Sequence, residues 1–397
     1  MISERLKELG EKRSTIRELF EYGKLLKAQY GAENVYDFSI GNPSIPCPEE
    51  VTEVLTKLIT EGDPVQLHSY TSSAGDPAVR GAIAAYLNEK YGIGAEADDI
   101  YMSCGAAASL TISLAAVTSP GDEVIIFTPY FPEYKVFTEQ TGSKCVFVPL
   151  LPPAFQPDFA ALSEAIGEKT SALIINSPHN PTGSILSAES LEKLGSLLRE
   201  KEAAYGRPIY LISDEPYREL NYTDTPTPFV FPYYADTIVC YSYSKSLSLP
   251  GERIGYILVN PASKDRKALY AAIQGAGRSL GFVCAPSLLQ KAVGQLQGRL
   301  SDISVYDRNR KLIYDGLTKI GYEAAQPDGA FYLFLKVPGG DAIRFSELAK
   351  KYRLLVVPSD DFGAPGYVRI SYCVETEMIR RALPAFEALY REILSNG

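Results

Sequence analysis

The residues with the clearest chemical potential lie in one run, Tyr241-Ser242-Tyr243-Ser244-Lys245-Ser246-Leu247-Ser248-Leu249-Pro250-Gly251-Glu252-Arg253-Ile254-Gly255-Tyr256. Lys245 follows the apolar run Ile238 to Tyr241 across Ser242-Tyr243-Ser244 and is surrounded by hydroxyls. An amine held in a cleft there loses solvation, and desolvation with nearby cations lowers its pKa towards nucleophilic use. Cys104-Gly105-Ala106-Ala107-Ala108-Ser109-Leu110 follows another apolar run and opens a helical pattern. Small residues at that place let backbone N–H groups approach a phosphate closely. Arg369 stands inside the apolar segment Val368-Arg369-Ile370, where burial without an anion is costly. Each feature alone also has a plain reading: a solvated loop lysine, small residues starting a helix, and in Asn180-Pro181-Thr182-Gly183 a simple turn.

The elements that must position these groups follow from periodicity. The first 30 residues read as helix, with Ile16, Leu19, Phe20, Leu25 and Leu26 at helical spacing, Ser14 as a cap and Gly31 as the stop. The proline-rich segment from Gly41 to Pro48 is extended, since proline cannot sit in a helix interior. From residue 78 to 260, seven short apolar runs alternate with helical stretches: Ile100–Ser103, Val124–Phe127, Cys145–Val148, Ala172–Ile175, Ile209–Ile212, Ile238–Tyr241 and Gly255–Val259. Such alternation predicts an α/β fold with a seven-stranded, mostly parallel sheet between helices. Ligands bind beyond the carboxyl ends of strands in such sheets. After Pro286 a long helical pattern leads through Leu289, Val293, Leu296 and Leu300 to Leu312 and Leu317, then into strand-like Phe331–Leu335 and Tyr367–Ser371. The expected division is 1–45 (N-terminal helix and extended segment joining the small domain), 46–288 (large domain) and 289–397 (small α+β domain).

Ser-x-Ser-Lys, followed eight residues after the lysine by Arg and then by Gly-Tyr, resembles the lysine signature of the class I/II aminotransferases, the aspartate-aminotransferase-like pyridoxal-phosphate enzymes of fold type I. The likeness runs over roughly residues 35 to 375, with further motifs in the family's order. It implies pyridoxal 5'-phosphate bound to Lys245 as a Schiff base, with the free amine later moving the proton between the substrate Cα and the cofactor. It implies that Ser242 and Arg253 contact the phosphate, with Ser244 as a further candidate, and that Gly105, Ala106 and Ala107 form the phosphate cup. Arg suits this role because it offers a fork of charge-assisted donors. Asp214 in Asp-x-x-Tyr would accept the pyridinium N–H, and Tyr217 and Asn180 would hydrogen-bond the phenolic oxygen. In Thr128-Pro129-Tyr130-Phe131-Pro132-Glu133-Tyr134 the ring stack falls to Phe131, with Tyr130 and Tyr134 as rivals. Tyr70 matches a tyrosine that reaches the neighbouring subunit's phosphate, which implies a homodimer with shared active sites. Arg369 matches the arginine that binds the substrate α-carboxylate, and Gly41 and Asn42 match the segment that closes over substrate.

Bulk properties narrow the partners. A net charge of -9 disfavours a nucleic-acid or anionic-membrane partner, since both need clustered Lys and Arg. Six scattered Cys and only two His offer no metal site and suit reduced thiols in a cytoplasmic protein. No apolar leader and no run long enough to span a membrane is visible. Ser242-x-x-Lys245 also fits a serine acyl-enzyme pattern, but the Lys-Thr-Gly strand that should follow it is missing. Gly275-Ala276-Gly277 lacks the third glycine of a nucleotide loop, and His68 and His179 lie in no recognisable base motif.

The expected reaction is transfer of an amino group from an L-amino acid, aspartate-like by best guess, to a 2-oxo acid such as 2-oxoglutarate through a pyridoxamine intermediate. The alternative on the same fold is a C–S β-lyase, and a minor one is a non-catalytic pyridoxal-phosphate-binding module. Ala107 stands where some bacterial relatives carry a lysine, which counts against aspartate. Arg278 either supplies a distal-carboxylate cation from the neighbouring subunit or is a solvated surface residue.

Overall fold

The computed structural model describes residues 2–11 and 15–395, so the expected cap at Ser14 lies outside the described residues. The chain divides into two units, one of residues 45–180 and 184–303, the other of residues 1–44, 181–183 and 304–397.

The larger unit is built on an eight-stranded sheet. Its spatial order is Ile100–Ser103, Gly255–Val259, Thr237–Ser242, Tyr210–Asp214, Thr170–Asn176, Glu123–Thr128, Lys144–Leu151 and Gln156–Pro157. All seven expected runs are strands. The eighth, Gln156–Pro157, is a two-residue return that pairs antiparallel with Leu150 and Leu151. The five strands from Thr237–Ser242 to Lys144–Leu151 are mutually parallel, and Gly255–Val259 runs against both of its neighbours. Strands 100–103, 170–176, 237–242 and 255–259 are buried at every residue, which requires helices on both faces and fits runs that hold no charged side chain. Helix Ala106–Val117, without a charged side chain, packs on strands Thr237–Ser242 and Gly255–Val259 and against helix Arg266–Ser279.

The smaller unit holds an antiparallel sheet ordered Glu323–Ala324, Tyr332–Lys336, Tyr367–Ser371, Val357–Pro358, and a parallel pair of Tyr36–Asp37 with Leu354–Leu355. Helices Ser304–Ile320 and Thr376–Ser395 pack on each other, and Phe38, Tyr322, Phe345 and Phe386 interlock as ring contacts in the core. Helix Thr15–Tyr30 buries Leu19 and Leu26 but leaves Leu25 exposed, so the apolar stripe is narrower than the sequence pattern suggested. Gly31 ends it at φ 84°.

The pattern after Pro286 is not one helix. Helix Ser287–Gln295 stops, Gly298 turns the chain at φ 78°, and a new helix starts at Ser304. Ser287–Gln295 packs on helices Glu49–Glu61 and Pro77–Tyr91, so it belongs to the larger unit, and the division falls after Ile303 instead of residue 288.

Gly255 opens its strand where three backbones meet. A Cβ there would collide with the Tyr241 carbonyl oxygen and stand 3.1 Å from Gly105 Cα and 3.2 Å from Ser242 Cα. These are main-chain atoms, which cannot rotate away. Gly255→Ala should therefore destabilise the protein by at least about 2 kcal/mol in urea unfolding; an unchanged midpoint and slope would show that the strands can part without cost.

Candidate active site

The polar candidates of the larger unit stand at strand ends. Asn176, Asp214 and Ser242 each close a parallel strand, Asn176 paired with Asp214, and Ser242 and Ser103 both paired with Gly255. The pleat and the parallel order thus deliver them to one edge, the edge where open α/β sheets bind ligands.

Asp214 is 5% exposed. Its Oδ2 accepts a 2.6 Å hydrogen bond from the Tyr134 hydroxyl, and its Oδ1 is buried without a partner. Burial pushes the carboxyl up to about 7 from an ordinary 3.8; the Tyr134 bond opposes this and neighbouring Glu215 adds to it. A buried carboxylate with one orphaned oxygen calls for a cationic N–H, and a protonated pyridine nitrogen has that chemistry. Asn176 clips this corner together: its Nδ2 donates to the Asp214 carbonyl at 2.7 Å, and its Oδ1 accepts from the Asn180 backbone N–H at 2.7 Å. Asn180 and Tyr217 are both 6% exposed. His179, equally buried, is pushed down to about 3 by desolvation and is neutral at physiological pH. It is therefore a packed turn residue near Asn180 and carries no charge.

An anion cradle lies beside it. Gly105, at φ 84°, caps helix Ala106–Val117, whose first-turn N–H groups lack intrahelical acceptors. Ala106 is half-buried and Ala107 exposed, so this helix end is open. A Cβ on Gly105 would stand 2.9 Å from Arg253 Nη2, so the guanidinium lies directly on the glycine, and any side chain there would displace it. Arg253 itself adopts φ 52° and donates from Nη1 to the Pro250 carbonyl at 3.0 Å. Ser242 Oγ caps the one-turn helix Tyr243–Ser246 by accepting from the Ser244 N–H at 3.2 Å, and the two hydroxyls share a 2.7 Å hydrogen bond. Half-buried Lys245 rides on that turn. Helix N–H groups, two hydroxyls and a guanidinium form a donor set suited to a phosphate dianion.

Of the three aromatic candidates, two are engaged elsewhere. Tyr134 donates to Asp214, and Tyr130 stacks on Phe147 at 5.1 Å. Phe131 is partly buried and meets Tyr134 edge-on at 5.7 Å, which leaves it as the ring available for a shelf. Tyr70 is 96% exposed in the single chain.

Gly41, Asn42 and Arg369 belong to the smaller unit. Arg369 is 2% exposed on strand Tyr367–Ser371, with its guanidinium 4.7 Å from the Tyr332 ring and 5.1 Å from the Phe362 ring. Its Nη2 donates to the Ser39 carbonyl at 2.7 Å. Gly41 passes so close to Tyr332 and Phe331 that a Cβ would strike both rings. Asn42 is exposed, with a long 3.4 Å contact to the Pro43 carbonyl.

Sequence reasoning missed Tyr134 as the partner of Asp214 and Asn176 as the clip. The only signal for Tyr134 was its place three residues beyond Phe131, on the first turn of helix Glu133–Gln140. Tyr134→Phe would leave the carboxylate with one donor fewer, raise the Asp214 carboxyl above its already elevated value, and weaken retention of a cationic pyridine. The cofactor dissociation constant, titrated by fluorescence, should rise about tenfold below pH 7, where binding must strip a more tightly held proton from the variant's carboxyl, and the effect should shrink as pH rises well above 7, where both proteins hold the carboxylate ionised before binding. Equal affinity at pH 6 would show that Tyr134 does not support the charge.

Comparison with known proteins agrees with this layout. The family model for aminotransferase class I and II matches residues 33–386. The aspartate aminotransferase of Pyrococcus horikoshii is 31% identical over 390 residues, covering 95% of this chain and 94% of that protein. A crystal structure of an amino transferase from Eubacterium rectale superposes with TM-score 0.97 at 54% identity over 99% of both chains. The Thermus thermophilus aspartate aminotransferase with maleate superposes with TM-score 0.85 at 28% identity over 98% of this chain and 99% of that one. With a family match across most of its length and a strand-end cluster suited to a phosphorylated pyridine, the chain belongs to the class I and II aminotransferases, enzymes that work with pyridoxal 5'-phosphate.

Proposed function

We propose that this aminotransferase takes its amino group from aspartate or a close L-amino acid and passes it to a 2-oxo acid such as 2-oxoglutarate. The observation that carries the site assignment is the buried, unpartnered Oδ1 of Asp214, an acceptor made for a ring N–H. Likeness to aspartate aminotransferases over nearly the full chain supports the donor.

When bound, pyridoxal phosphate supplies a sink for the electrons released at the substrate Cα. The chain's own residues do the rest. Gly105, Ala106 and Ala107 offer N–H groups to the phosphate, Ser242 and Ser244 offer hydroxyls, and Arg253 its guanidinium. Asp214, held by Tyr134, keeps the proton on the ring nitrogen. Tyr217 and Asn180 hydrogen-bond the phenolic oxygen, and Phe131 supports the ring face. Lys245 would hold the cofactor at rest and, as a free amine, would take the proton from the substrate Cα and deliver it to the cofactor's C4′ carbon across the linking nitrogen. Arg369 grips the α-carboxylate as a bidentate pair, and Gly41 and Asn42 cover the substrate.

The working form is a homodimer in the cytoplasm. Tyr70, almost wholly exposed in one chain, is the residue that reaches the phosphate of the partner site, and six free thiols suit a reducing compartment. Arg278 is exposed at the end of helix Arg266–Ser279, where the preceding Gly277 is wedged against the Tyr101 hydroxyl. So anchored, Arg278 of the partner subunit pairs with the distal carboxylate of an acidic donor.

Single L-amino acids mixed with purified enzyme, without any 2-oxo acid, test the reaction. Aspartate should convert the cofactor's absorbance fully to that of its amine form, and Arg278→Ala should raise the KM for aspartate about tenfold while sparing apolar donors. An unchanged cofactor band with release of ammonia and oxo acid would mean a lyase. Shared sites have their own readout: mixing inactive Lys245→Ala with impaired Tyr70→Ala protein should restore activity, because one site of each mixed dimer is intact. No recovery, or a monomer in sedimentation, would rule the shared site out.

A further inference from the structure

Arg369 is not held by its own strand alone. Its Nη2 donates to the carbonyl of Ser39, a fully buried residue 330 positions away. Ser39 in turn is tied at both of its donors to one oxygen of Asp37: its N–H reaches Asp37 Oδ1 at 3.1 Å and its hydroxyl reaches the same atom at 2.6 Å. The other oxygen, Oδ2, accepts from Lys27 Nζ at 2.7 Å. The Asp37 side chain is 4% exposed and that of Lys27 36%, so the carboxylate is sealed in while its counter-charge reaches in from the rim. Helix Thr15–Tyr30 can come this near because Gly23, one turn before Lys27, has no side chain; a Cβ there would stand 2.9 Å from Asp37 Oδ2. The main chain around Asp37 is pinned as well, with Phe38 N–H on the Leu355 carbonyl and Ser371 N–H on the Phe38 carbonyl.

We propose that Asp37 is a positioning residue for the substrate α-carboxylate, acting through Ser39 on Arg369, with Lys27 as the charge that keeps it in place. The proposal rests on Arg369 being the carboxylate-binding arginine. The Tyr332 and Phe362 rings lie 4.7 and 5.1 Å from the guanidinium, and the Ser39 carbonyl anchors it at Nη2. That anchor helps to set the angle of the guanidinium, on which bidentate carboxylate recognition depends. Asp37 aims the carbonyl by holding both donors of the same residue, and the chain runs on from Ser39 to Gly41 and Asn42. One ion pair therefore sets the angle of the arginine and the start of the covering segment. A misplacement of about 1 Å in such a group can reduce efficiency by up to about a hundredfold.

The test uses holoenzyme variants, with KM and kcat for L-aspartate, the dissociation constant of maleate, the cofactor spectrum and the melting temperature measured together. Asp37→Ala should raise KM and the maleate dissociation constant about tenfold, with kcat within about twofold and the cofactor spectrum unchanged. Asp37→Asn, which keeps an acceptor for Ser39, should recover most of the affinity. Lys27→Met should share the defect in part and, combined with Asp37→Ala, add nothing further. A lowered melting temperature with unchanged KM and maleate affinity would overturn the proposal by reducing Asp37 to a structural role. If Asp37→Ala fails to fold, Lys27→Met decides, and an unaltered KM there overturns it. Arg369→Ala separates the two levels: if it destroys maleate binding while Asp37→Ala does not, only the positioning role fails. If Arg369→Ala leaves maleate binding intact, the assignment beneath it fails too.

Discussion

A carboxylate sealed inside a protein must find a cation or take up a proton, and that constraint organises the larger unit. Asp214 closes a central strand, reaches almost no water and is pushed up to about 7 by burial. Tyr134 satisfies one of its oxygens, and the other has no partner among the described residues. In an unliganded domain this would be a defect. In an aminotransferase it is the acceptor that our proposal gives to the protonated ring of the cofactor, a cation that would offset the cost of its burial. The surrounding features serve that one atom: the strand register that sets Asn176 beside Asp214, and the amide clip to Asn180.

The donor cradle around Gly105 depends on a different device, the omission of side chains. Gly255 lets strands 237–242 and 255–259 close on Gly105, and Gly105 lets the Arg253 guanidinium rest on the helix start. Both glycines permit an approach that a single methyl group would prevent. The result is a compact donor set whose members come from three separate stretches of chain, brought into line by sheet pairing. The helix carrying the N–H groups needs no charge of its own, because its aligned peptide dipoles favour an anion at that end.

In the smaller unit the corresponding problem is a buried cation. Arg369 is covered by aromatic rings and oriented by a carbonyl that belongs to the N-terminal segment. The Asp37–Lys27 pair adds to the backbone bonds that hold that carbonyl in place.

Much of this was legible in one dimension. The seven apolar runs named the strands, and the spacing around Lys245 named the family and its cofactor, because strand burial and lysine motifs are written in consecutive residues. The eighth strand was not, since a two-residue return has no periodicity of its own. The pattern after Pro286 misled, because helical spacing continues across a break made by loop geometry at Gly298, and the allegiance of Ser287–Gln295 depends on which helices it packs against. The sequence assigns the ring stack to Phe131 with Tyr130 and Tyr134 as rivals, but nothing in consecutive residues signals that Tyr134 donates to Asp214 or that Tyr130 stacks on Phe147. By itself, then, the sequence determined the elements, the family and the set of candidate groups. Tertiary structure alone decided which oxygen of Asp214 is satisfied, which glycine bears a guanidinium, and that Lys27 and Asp37 stand behind Arg369. Those are contacts between residues tens to hundreds of positions apart, and they exist only once strand register and helix packing have brought distant stretches of chain within a few ångströms of each other.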